Sequence, residues 1–328
     1  MNRQHFYFVS ALLILTGCGG GDDAGSDKVS PAAPETMLDI NPANAEQVTL
    51  LSYESAAASA SLGELVGDTG LIANSPGGNA KLDGSFGTAS KTGRSASRVP
   101  IPATTENCDV DGTVTVSGDI KDPFTPTLTA GDFFDVKFST CDDGLGDVTD
   151  GLLHLEVFDF AGEFLAGLYE LSMDFTITDF QVATIEDTVT MNGDARIVLD
   201  TTASPYVEAG ISGSALTVDS NSSSESLFDF AATQTLDAGV SPSPYTLAAA
   251  GTLDSTQLTG AIRYSTPVSF QGFDNGYPVA GELLVEGENS SARLAVLEDG
   301  KLRIDVDSNG DGTADSTIFT TWQELESL

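Results

Sequence analysis

The feature that most constrains this chain is a period-two alternation of apolar and polar residues, repeated from Asn107 onward with short connections between its runs. Leu171, Met173, Phe175 and Ile177 alternate with Ser172, Asp174, Thr176 and Thr178. That spacing makes a strand with one buried face. Phe134, Val136 and Phe138 repeat the pattern, as do Leu153, Leu155 and Val157, and later Leu302, Ile304 and Val306. Parallel neighbours need crossovers of roughly a dozen residues, so the short connections call for antiparallel pairing. Asp150-Gly151, Asn192-Gly193 and Asp299-Gly300 read as hairpin turns, because both residue types tolerate positive φ. The expected fold class is all-β: an antiparallel meander, a sandwich, or an incompletely closed barrel of about a dozen strands, with one N-terminal helix. Residues 107–160 and 168–235 both read as strand–turn series, but no fixed period marks them as repeats.

The helix is expected over 41–66. Asn41 serves as N-cap, Pro42 takes the first helical position, and Gly67 is a stop. Val48, Leu51, Ser55, Ala58, Leu62 and Leu65 fall at three- and four-residue steps and give a mildly apolar face. Before it, residues 18–40 hold Gly and Asp runs and two prolines without periodicity, as a flexible tether would. After it, residues 67–106 are rich in Gly, Ser and Asn. This stretch holds Lys81, Lys91, Arg94 and Arg98, with Phe86 the single aromatic residue interleaved among them, and reads as a solvated linker. The β domain then fills 107–328.

Charge excludes some partners. Asp and Glu number 49 against 13 Lys and Arg, for a formal net charge of −36. Such a surface repels nucleic-acid backbones and anionic lipid headgroups, whose affinity for proteins comes from Lys and Arg. With 40% hydrophobic residues the chain still has enough apolar material for a core.

At the N-terminus, Arg3 precedes an apolar run from Phe6 to Leu15. This run is too short to span a bilayer, which takes ~20 residues, and suits a signal peptide over 1–17. It ends in Leu15-Thr16-Gly17-Cys18, which resembles the lipobox of bacterial lipoproteins. The resemblance implies cleavage before Cys18, acylation of Cys18, and a membrane held through that lipid. Gly19 in place of Asp implies export to the outer membrane. Two cysteines remain, Cys108 and Cys141, in a compartment that permits disulfides, and they are expected to pair. Closing a loop of about 34 residues contributes ~3.5 to 4 kcal/mol in the chain-entropy model.

One motif has ligand spacing. Asp307, Asn309, Asp311, Gly312, Thr313 and Asp315 resemble the calcium loops of dockerin and EF-hand proteins. The resemblance implies that Asp307, Asn309, Asp311, the Thr313 carbonyl and Asp315 donate oxygens to a structural Ca²⁺, with Gly312 at the turn. The position that would carry a bidentate carboxylate is Ile318, so Asp305 has to compensate, and the flanks are strands instead of helices. Weak binding at ~0.1 to 1 mM is expected.

Catalytic signals are sparse. His5 leaves with the signal peptide, and His154 shares a strand face with Glu156. No Gly-x-Ser-x-Gly turn, phosphate loop or Cys-x-x-Cys occurs, and paired carboxylates for glycoside cleavage are not singled out among 49 acids. No catalytic and no cofactor-binding residue is assigned. Trp322 is expected to cap the core beside the calcium loop, with Phe319 and Leu325. The functional expectation is a lipid-anchored, non-enzymatic outer-membrane protein that presents an acidic β domain for surface interaction or scaffolding. The alternative is a carrier lipoprotein that holds a hydrophobic ligand in a cavity under the helix.

Overall fold

In a computed structural model the described residues are 34, 36–68, 98–121, 128–142, 144, 146–163, 166–185 and 187–328, with side chains left aside at 61–68 and 299. The expected lipobox, most of the tether and most of the basic linker lie outside them. Among the described residues fourteen strands follow one another as a single antiparallel meander: β1 Val99–Asn107, β2 Asp111–Ile120, β3 Phe133–Asp142, β4 Val148–Glu163, β5 Leu168–Ala183, β6 Thr188–Asp200 and β7 Tyr206–Asp219. Then come β8 Ser224–Asp237, β9 Pro244–Ser255, β10 Ile262–Phe273, β11 Ala280–Glu286, β12 Ser291–Val296, β13 Lys301–Asp307 and β14 Ser316–Thr321. Each strand pairs only with its neighbours in sequence, and the sheet is not closed. Of the three expected all-β arrangements, the meander is the one found. The sheet begins at Val99, inside the stretch read as linker.

The apolar members of each alternating run face inward. Val136 and Phe138, Leu153 to Val157, Leu171 to Phe175, and Leu302 to Val306 are all buried, while their polar partners lie on the other face. One contiguous cluster joins them to the N-terminal helix.

Two of the expected hairpin turns are not turns. Gly151 lies within β4 and Gly193 within β6, each opposite a register break. Across the sheet these breaks line up. Thr140 in β3, Gly151 in β4, Asp179 in β5, Gly193 in β6 and Asp229 in β8 all have positive φ and lie beside one another through the strand registers. The line starts at Gly112 in β2 and reaches Gly251 in β9, which faces the extra residue at Asp229–Phe230. Side chains satisfy the displaced backbone: Asp150 Oδ2 accepts from Thr140 N at 3.1 Å, and Asn192 Oδ1 from Asp179 N at 2.7 Å. Bulges sharpen twist and bend the strand that carries them. A row of them across eight strands is therefore a crease about which one sheet folds over, giving it a sandwich-like layering. Asp-Gly and Asn-Gly favour the same positive φ in a bulge as in a hairpin, so the dipeptides alone do not separate the two. Asp299-Gly300 does form a connection, between β12 and β13.

α1 spans Ala45–Asp68. Its start is close to expectation: Asn41 Oδ1 accepts from Ala43 N, and Asn44 Oδ1 returns the bond to Asn41 N, both at 2.9 Å. This reciprocal arrangement satisfies two donors that the first turn would leave free. The buried face differs from expectation, because Ala58 is exposed. Ala45, Val48, Thr49, Leu51, Ser52, Ser55, Ala56, Ser59 and Ala60 are buried. At ~100° per residue these positions cover about half the helix circumference. Most are small, so the helix sits close to the sheet, touching β6 to β9 and β11 to β13. Thr49, Ser52 and Ser59 donate their hydroxyls to the carbonyls of Ala45, Val48 and Ser55 at 2.7–2.8 Å. Those internal bonds let a polar-looking stripe enter a core, since a buried hydroxyl must find an acceptor.

The segment ahead of α1 is tied down as well. Leu38 N donates to Ala261 O at 2.8 Å and Ala261 N to Thr36 O at 3.0 Å. Glu288 N donates to Leu38 O at 2.9 Å, and Ile40 N to the buried Ser290 Oγ at 2.8 Å. Residues 36–40 thus strap two sheet turns together, although they fall within the stretch expected to be a tether.

Candidate functional site

The Asp307 loop joins β13 to β14. Asp307 is buried at the end of β13, where its Oδ1 accepts from Asn309 N at 3.2 Å and Gly310 N at 2.8 Å, and its Oδ2 from Gly312 N at 2.8 Å. Burial works against the charge on Asp307, but the N–H donors of Gly312, Asn309, Gly310 and Asp311 together hold its carboxyl below the usual range. Gly310 and Gly312 have φ of 72° and 81°, conformations that L side chains rarely adopt. Further round the loop, Asn309 Oδ1 accepts from Asp311 N at 3.0 Å, and Asp311 Oδ1 from Thr313 N at 2.8 Å. Asp315 Oδ2 accepts from Ser308 N at 2.9 Å, and the Asn309 amide nitrogen also faces the Asp315 carboxylate.

All five predicted loop residues are therefore brought into one turn, but side-chain oxygens of Asp307, Asn309, Asp311 and Asp315 accept from the loop's own N–H groups. Among the described residues no group of three or more His, Cys, Asp or Glu side chains is placed to hold a metal ion. Asp305 faces the other way: it accepts from Thr317 Oγ1 at 2.8 Å and pairs with Arg303 Nε at 2.9 Å. The donor chemistry suits a hard cation, whereas this arrangement satisfies the loop without one.

Cys108 and Cys141 form the expected disulfide, with Cα atoms 5.5 Å apart. It joins the end of β1 to β3 beside the crease. Cys18 lies outside the described residues.

His154 Nδ1 meets Asp135 Oδ1 at 2.6 Å on the half-exposed face of β3 and β4. Cross-strand register, in which Asp135 lies opposite His154, makes Asp135 its partner rather than Glu156. A surface contact this open to solvent contributes little to stability.

Trp322 opens α2, Trp322–Leu325, and is buried together with Leu325. The expected core role holds, but its surroundings differ. β14 separates it from the Asp307 loop, and Phe319 is 69% exposed. Trp322 packs instead against Tyr53 of α1, with ring centres 4.4 Å apart, and stacks on Tyr277 at 5.6 Å and 10°. Phe270 approaches Tyr53 edge-on at 5.3 Å. Burial pushes the Tyr53 phenol far above its ordinary value, and burial together with the neighbouring Glu326 raises Tyr277 to about 12. These aromatic residues lock α1 to the C-terminal strands. Sequence reasoning missed the cluster, because its members are far apart in the chain and Tyr53 lies outside the apolar helical stripe.

The sheet face beneath α1 is packed. Leu253, Ile262, Tyr264, Phe270, Leu283 and Leu294 are essentially inaccessible in the cluster that includes α1. A polar surface recess of about 300 Å³ lies at the turn end of β8 to β10, lined by residues including Thr36, Ser224, Asp254, Thr256 and Thr259. Among the described residues no helix is long and apolar enough to cross a membrane. No protein-family model, no curated protein and no solved structure matches the chain.

Proposed function

We propose that the protein is a lipid-anchored, non-enzymatic component of the bacterial outer membrane that presents a rigid acidic β body for surface interaction or scaffolding. The observation that carries this reading is α1, whose buried residues join the core cluster of the sheet and touch seven of its strands. A carrier needs an apolar cavity of a few hundred Å³ in that place. Small residues on α1 and the Tyr53–Trp322 contact favour a packed body over the carrier alternative. Membrane attachment rests on Cys18 and the lipobox resemblance. We include weak structural calcium binding by the Asp307 loop, limited because an ion must displace N–H bonds at Asp311 and Asp315.

Fractionation tests the anchor. Wild type should sediment with membranes and Cys18→Ala should not; retention of Cys18→Ala in membranes contradicts the anchor. Calorimetric titration with Ca²⁺ up to several times the ~1 mM expected of such loops tests the metal. Equal heats for wild type and Asp311→Ala contradict it.

A further inference from the structure

An open sheet has two edges, and here they are built differently. β1 carries Pro100 and Pro102, which lack N–H groups, and its pairing with β2 slips between Ile101 and Thr104. Glu106 adds a charge. Proline, bulges and charge are the devices that stop an edge from recruiting another strand. β14 has none of them. It reads Ser-Thr-Ile-Phe-Thr-Thr, holds an unbroken register with β13, and pairs with no other strand among the described residues. In a chain of net charge −36 this strand carries no charge at all, and Phe319 stands 69% exposed on its outer face.

We infer that β14 is the surface through which two copies of the chain associate, edge to edge and antiparallel about a two-fold axis. A second copy is favoured over a different partner because the strand is complementary to itself. With the axis at Phe319 and perpendicular to the sheet, the exposed faces of both copies lie on one side. Phe319 then meets its counterpart, and Thr317 meets Thr321 of the second copy. Aromatic pairs and Thr–Thr pairs are among the cross-strand contacts that stabilise antiparallel neighbours. No like charges come opposite one another, as they would on a charged edge. The rest of each body is strongly anionic, so long-range repulsion opposes the encounter and salt relieves it. Association therefore strengthens with ionic strength, the reverse of an interface held by ion pairs.

The test uses the full chain in neutral, density-matched detergent, with sedimentation equilibrium at about 0.05 M and 0.5 M salt. Wild type should shift toward dimer at the higher salt, while Phe319→Lys and Thr317→Lys, both exposed substitutions, should stay monomeric, Phe319→Lys with an unchanged urea midpoint. Mild oxidation of Phe319→Cys should give a disulfide-linked dimer at least ~10-fold faster than Thr317→Cys, because only position 319 faces itself within the 4.4–6.8 Å Cα range of a disulfide. Wild type that stays monomeric at both salts overturns the inference. So do lysine variants that still dimerise, or equal oxidation rates for the two cysteine variants.

Discussion

Substituting Gly151 tests whether the crease is tight, because the protein supplies its own control. A Cβ on Gly151 would lie 2.4 Å from Asp179 O and 2.5 Å from Phe180 Cα, both backbone atoms of the neighbouring strand. Ordinary contacts begin near 3.4 Å, so β4 and β5 must part by about 1 Å at the bulge. Gly146 has a similar φ, 103° against 110°, but nothing lies within 4 Å of its Cβ position. Gly146→Ala thus measures the conformational cost alone, ~1 to 2 kcal/mol for an L residue at positive φ. Gly151→Ala adds the cost of overpacking a fixed site, ~1 to 3 kcal/mol more. With a urea slope of ~3 kcal/mol/M, the midpoint should fall by about 1 M for Gly151→Ala and about 0.5 M for Gly146→Ala. Equal midpoints for the two variants would refute the reasoning, since the strands would then separate without cost.

Two further outcomes are expected. The folded-state pKa of Asp307 is lowered, so its stabilising effect is complete above the unfolded carboxyl value of ~3.9 and is lost as pH falls below it. The urea midpoint of Asp307→Asn should lie below that of wild type at pH ~7 and approach it at pH ~3; a gap that does not narrow on acidification contradicts the role of the N–H donors. Ser290→Ala removes the acceptor for the buried Ile40 N and should cost ~1 to 3 kcal/mol. Hydrogen exchange should quicken first at Leu38 and Ile40, and unchanged protection there would show that the strap does not depend on Ser290.

The strand content was legible because burial and alternation are both local: Leu171, Met173 and Phe175 declare their face whatever their partners. The disulfide was legible from cysteine number together with the lipobox resemblance. Other features depended on relations the sequence does not display. Asp150-Gly151 and Asn192-Gly193 carry a conformational preference that a bulge uses as well as a hairpin does. The helix face was misjudged at Ala58 because hydroxyls at Thr49, Ser52 and Ser59 bond to their own helix and enter the core, so the buried stripe looks polar. Residues 307–315 form an ordered turn around the Asp307 carboxylate. Whether those oxygens face an ion or the backbone is a matter of side-chain rotation that spacing does not encode.

The central claim, a packed body held by covalent lipid, is tested most directly by the intact mass of the membrane-extracted protein before and after organic solvent extraction. One species is expected in both spectra, starting at Cys18 and heavier than its sequence by covalent acyl groups. Loss of a stoichiometric lipid on extraction would contradict it, as would a chain with no covalent addition at Cys18.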